Sequence, residues 1–159
     1  MEFGPDYIMF FARWLHVLSG VMWIGLLWYF NFVQIPSMPN IPDNEKPAIS
    51  KVIAPKALFW FRWAALATIL TGLLTAHLNG YLLDALSLGI IGATKKHTAI
   101  GIGMWLGIIM AYNVWMIIWP NQKIALGIVS ANDEDKPLAA RKAMLFSRTN
   151  TALSIPMLY

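Results

Sequence analysis

Hydrophobic and polar positions alternate along this chain on the scale of whole spans, not of single helix faces. Apolar runs cover residues 7–33, 57–79 and 98–119. Each is long enough to cross a hydrocarbon core of about 30 Å at about 1.5 Å per residue. Pro36, Pro39 and Pro42 punctuate the first connection, which runs on through Lys46 and Pro47, and no continuous helix is expected there. A short helix is predicted over 48–53, with Pro55 marking the approach to the second span. Residues 81–92 are mostly apolar, carry Asp84 and are too few to cross, so they read as a short interfacial helix or a re-entrant segment. The third span is expected to stop at Pro120-Asn121-Gln122-Lys123, with Asn113 inside it as a bond between helices.

Pro137 opens a fourth helix. Arg141, Lys142 and Arg148 lie along its first part, and only residues 149–159 are apolar. That run reaches about 16 Å, half a bilayer. The helix therefore either continues past Tyr159 or ends midway against a partner. The expected fold is an all-α integral membrane protein, one domain over 1–159. Three full transmembrane helices and a fourth, incomplete one over 138–159 form an antiparallel bundle.

Composition agrees: 58% of residues are hydrophobic and 13% charged, against about 25% charged in soluble domains. The absence of cysteine excludes disulfides, thiolate metal sites, iron–sulfur clusters and a covalent c-type haem attachment within the chain. The net charge of +4 reflects basic residues gathered in the connections, which points to topology and anionic lipid, not nucleic acid. Lys46, Lys51, Lys56, Arg62, Lys123, Lys136, Arg141, Lys142 and Arg148 fall on one side of the membrane. Arg13, Lys95 and Lys96 fall on the other. The positive-inside rule then puts the first group in the cytoplasm and the N-terminus outside. Residues 1–6 carry two acids and no base, and no small-residue cleavage site follows the first run, so that run is expected to be kept as an anchor.

The candidate chemistry lies in the first span. His16, Gly20, Trp23 and Leu27 share one helix face, with Arg13 at its outer end. An imidazole in lipid needs a partner within the protein. A glycine one turn on admits a flat group, and an arginine near the surface suits its carboxylates. This is the set that a haem edge requires. The plainer reading is a histidine bonded to the next helix, with Gly20 a close-packing point. All three histidines, His16, His77 and His97, fall in the same leaflet. His97 and Gly101 repeat the spacing of His16 and Gly20, and Met104-Trp105-Leu106-Gly107 echoes Met22-Trp23-Ile24-Gly25. His16 and His97 are therefore the preferred axial pair for haem b, with His77 next. His77 and His97 also read as ordinary interfacial residues. A zinc or copper site has less support, because no Asp, Glu or Cys shares these faces.

The stretches Arg13-Trp14-Leu15-His16 through Trp23-Ile24-Gly25, Phe59-Trp60-Phe61-Arg62-Trp63 with Thr71-Gly72, and Met110-Ala111-Tyr112-Asn113-Val114 through Pro120-Asn121-Gln122-Lys123 resemble the N-terminal membrane domain of the bacterial urate hydroxylases, the urate oxidase N-terminal domain. Residues 147–156 resemble the helix that follows in that family. The resemblance implies a helical membrane unit linked to a periplasmic cytochrome c. Two functions follow as expectations: a b-type haem electron-transfer subunit, or a haem-free accessory subunit of a larger membrane complex. Oxidation of a purine-like substrate lacks support, since the sequence offers no nucleophile arrangement or acid and base pair, and Asp84 is the only acid near the histidines.

Overall fold

The computed structural model describes residues 4–92 and 95–159. Met1 to Phe3, half of the acidic N-terminal stretch, lie outside the described residues. Helix α1 spans Pro5–Trp28, α2 Ala54–Leu78, α3 Leu82–Leu86, α4 Lys95–Tyr112, α5 Trp119–Ala125 and α6 Asp135–Met157, and no strand occurs among the described residues. With their extensions, Asp6–Asn40, Ala48–Leu78 and Lys95–Ala125 are three helices long and apolar enough to cross a membrane.

The helix break expected in the first connection falls at residues 41–45, around Pro42, and the earlier prolines and Pro120 do not end helices. Helical backbone runs through Pro36 and Pro39 to Asn40, through Pro55, and through Pro120 to Ala125. Pro39 lies at the start of the short 3-10 segment Met38–Asn40, and for Pro36, Pro55 and Pro120 the reason is the same. A six-residue wide-turn segment, bonded i to i+5, precedes the proline: Tyr29–Gln34, Ala48–Ile53 and Asn113–Ile118. Ile35, Ala54 and Trp119, each just before its proline, donate to the carbonyls five residues back, Phe30, Ile49 and Val114. A proline ring clashes with the carbonyl four residues back in a regular α-helix, and widening the turn moves that carbonyl aside. Residues 48–53 are thus the first turns of the second span, not a separate helix.

The bundle is antiparallel. His16 meets Thr68 and Phe30 stacks edge-on against Phe61 at 5.8 Å, so α1 and α2 run in opposite directions. Asn113 meets Asn150, and Met157 lies against Gly103 and Gly107, so α4 and α6 do too. The core joins Trp23, Leu27 and Phe30, Leu58, Phe61 and Ala65, Met110, Val114 and Ile118, and Ala143.

Helix α6 buries a face of small and polar residues: Ala139, Ala143, Ser147, Asn150 and Ser154. Its charged residues Arg141, Lys142 and Arg148 are exposed. A seam of side-chain bonds holds that face. Asn113 Nδ2 donates to Asn150 Oδ1 at 2.9 Å, Asn150 Nδ2 to the Met110 carbonyl at 2.9 Å, Asn31 Nδ2 to Ser147 Oγ at 2.8 Å, and Trp28 Nε1 to Ser154 Oγ at 3.0 Å. Between apolar helices, close approach of small residues and such bonds replace the hydrophobic drive. Asn113 therefore does bond between helices, as its position in the third span predicts. At 23 residues, α6 extends about 34 Å, but it is not among the three apolar spans.

Residues 81–92 form α3 followed by turns with Leu88 and Gly89 in the left-handed region. They lie against the start of α4.

Candidate functional site

A mostly apolar cavity of about 720 Å³ opens between α1 and α2 on one side and α4 on the other, with Met157, Leu158 and Tyr159 at its edge. Cofactor sites generally have volumes in this range. Its walls owe their room to missing side chains: Gly20, Gly25, Gly72, Gly103 and Gly107 all line it. A Cβ on Gly20 would meet only Thr68 Cγ2, at 3.9 Å, and one on Gly25 would meet nothing within 4 Å.

His16 is the ionisable nitrogen base of this wall. Its Nδ1 lies 2.9 Å from the Thr68 carbonyl and 3.4 Å from Thr71 Oγ1. A carbonyl only accepts, so Nδ1 carries the proton and Nε2 keeps its lone pair. Nε2 takes no hydrogen bond among the described residues. The ring sits there because α2 has a glycine opposite it. A Cβ on Gly72 would come within 2.8 Å of His16 Cε1 and 3.1 Å of Nδ1. Sequence reasoning quoted Gly72 only within a family resemblance; its role is to seat the imidazole. Ser19, one turn from His16, is tied to the Leu15 carbonyl at 2.5 Å and reaches Thr71 Oγ1 at 3.5 Å, which joins α1 to α2 at the same level.

Of the residues singled out from sequence, the structure gathers His16, Gly20 and Trp23 on the cavity wall. Trp23 is fully buried, and its Nε1 has no hydrogen-bond partner among the described residues. His97, Gly101, Arg13 and His77 are not on that wall. His97 Nδ1 is instead bound to Asp84 Oδ2, and its ring stacks on Tyr81 at 5.3 Å. Asp84 Oδ1 also accepts from the Gly92 amide at 2.7 Å. That amide, followed by His97, holds the Asp84 carboxyl below the usual carboxylate range. The chain thus contains an acid and imidazole pair that spacing alone did not reveal. Gly101 does not face the cavity either. A Cβ there would overlap the Ala85 carbonyl oxygen, so its role is to let α3 lie directly on α4. Trp105 Nε1 donates to the Leu86 carbonyl at 3.0 Å and closes the same contact. Arg13 and His77 are exposed, toward the same end of the bundle as His16.

Two further lining side chains, Met104 and Met157, bring sulfur to the wall. No group of three or more His, Cys, Asp or Glu that could hold a metal ion occurs among the described residues. No family model matches the chain, and neither a curated protein nor a solved structure matches it.

Proposed function

We propose that this chain is a subunit of the bacterial inner membrane, N-terminus outside, that holds a b-type haem at His16. In this reading it passes electrons between a carrier on the outer side, such as a cytochrome c, and a partner in the membrane. The observation that carries the reading is the state of His16: Nδ1 fixed on the Thr68 carbonyl, Nε2 unpartnered, on the wall of an apolar cavity of about 720 Å³. A metal-binding histidine characteristically has its second nitrogen held this way, which sets tautomer and ring orientation. The resemblance to the membrane domain of urate hydroxylases points in the same direction.

His16 on α1 would hold the iron, with Gly20 and Gly25 leaving space beside it for a planar group. Met104, Met157, Tyr81 and Tyr159 are further lining residues with a donor suited to iron. His97, held by Asp84 away from the wall, would serve the α3 contact instead. When bound, the haem supplies reversible one-electron chemistry. The chain's residues would fix its ligand and shape its cavity. Arg13, Lys95 and Lys96, exposed at the same end, would meet the propionates at the cavity mouth.

Protein purified from haem-replete cells should show a reducible Soret band that His16→Ala abolishes and His97→Ala retains. A colourless, iron-free preparation would overturn the proposal. A haem-free accessory role is the second reading, favoured by the engagement of His97 with Asp84. Co-purification with a larger assembly, together with no spectral change in His16→Ala, would select it.

A further inference from the structure

Less than two turns along α2 from Thr68, toward Ala54, two cations share one aromatic ring. The Arg62 guanidinium lies 3.8 Å from the Trp119 ring centroid and the Lys123 ammonium 5.8 Å from it, with Phe59 on the guanidinium's other flank at 5.3 Å. Trp115 Nε1 donates to the Arg62 carbonyl at 3.1 Å, which fixes the strand of helix that carries Trp119 against α2. Neither cation is paired with an acid among the described residues. The ion pairs among the described residues are Lys46 with Asp43, Lys136 with Asp133, and His97 with Asp84. Arg62 Nη1 is buried without a hydrogen-bond acceptor. Two like charges beside one ring repel, and a buried guanidinium nitrogen without an acceptor is costly. A single anion between them would relieve both.

The surface beneath them is of the opposite character. A nearly wholly apolar groove of about 460 Å³ runs between α2 and α4, lined by Leu66, Ile69, Ile108, Tyr112, Trp115 and Met116. Leu66 and Ile69 follow Arg62 at one and two turns on α2, and Trp115 and Tyr112 precede Trp119 on the facing helix. A cationic head and an apolar groove are therefore continuous along the same two helices. Exposed Trp60 and Trp63 stand beside the head, where indoles sit at a headgroup level.

We propose that this is a site for one anionic phospholipid, its phosphate between Arg62 and Lys123 and an acyl chain in the groove. A soluble phosphate would use the cations but leave the groove unexplained. The guanidinium provides paired N–H donors for phosphate oxygens, and the ammonium provides a point charge.

The test uses the full chain in detergent micelles doped with phosphatidylglycerol or with phosphatidylcholine of the same acyl chains, with retained lipid read by native mass spectrometry. Phosphatidylglycerol should be retained preferentially, by roughly fivefold for each basic residue involved. Lys123→Gln should cut the preference about fivefold and Arg62→Gln should cut it further, while Arg62→Lys should keep part of it. Lys123 is only half-buried, so Lys123→Gln keeps the test decisive even where Arg62→Gln fails to fold. Excess inorganic phosphate should leave the bound lipid in place. Equal retention of both lipids, a preference unchanged in Lys123→Gln, or displacement of the lipid by inorganic phosphate alone would each overturn the proposal.

Discussion

Replacing Asn150 by leucine tests whether the polar seam holds α6 in the bundle. Asn150 is fully buried, so no water can take over its bonds. The change removes two of them: the one from Asn113 Nδ2 and the one to the Met110 carbonyl. Bonds between helices in apolar surroundings contribute about 0.6 kcal/mol on average and up to about 1.7 kcal/mol, so the pair accounts for about 1–3 kcal/mol. The stranded Asn113 amide adds a desolvation penalty of about 1–3 kcal/mol, partly overlapping the first figure. Asn150→Leu should therefore cost about 2–4 kcal/mol in total. The double variant Asn113→Leu with Asn150→Leu removes the stranded donor as well. It should be less destabilised than the sum of the single changes by about 1 kcal/mol or more. The assay is reversible unfolding in mixed micelles with a denaturing detergent, followed by far-ultraviolet circular dichroism. Wild-type stability in Asn150→Leu, or strict additivity in the double variant, would refute the reasoning.

Gly72→Ala should destabilise by about 1–3 kcal/mol, as overpacking does, because its methyl would press on the His16 ring. Gly20→Ala should change stability far less, since its new methyl would meet only Thr68 Cγ2, at an ordinary contact distance of 3.9 Å; the same unfolding assay compares them. Gly101→Ala should detach α3 from α4, because the new carbon overlaps the Ala85 carbonyl. Faster proteolysis within residues 81–92 would report it. Asp84 has a lowered folded-state pKa, so its contribution to stability is complete above the ordinary carboxylate value and is lost as pH falls through the folded value. Unfolding midpoints of wild type and Asp84→Asn should therefore differ by a constant amount near neutral pH and converge on acidification.

The three apolar spans were legible because hydropathy over a long window reports helix length directly. The helix ends at Pro36 and Pro120 were misread because a proline's cost depends on the turn before it. Nothing in the residues 29–34 or 113–118 marks a wide turn in advance. His16, Gly20 and Trp23 could be grouped because all three lie on one helix, where spacing fixes the face. His97 could not be placed that way. Its surroundings depend on how residues 81–92 fold back, and Asp84 wins the ring at short range. The histidine and glycine spacing shared by α1 and α4 therefore serves different ends: Gly20 opens a cavity, and Gly101 closes a helix contact.

The chemical contrast between α6 and the other long helices has a consequence for how the chain assembles. The apolar helices can enter a bilayer one by one, each without a partner. The charged flank and small, polar inner face of α6 give it little reason to insert alone. It gains its place only once Asn31, Asn113 and the Met110 carbonyl already stand together to receive it. Assembly would then proceed in two stages, with the three apolar helices in place before α6 docks on them.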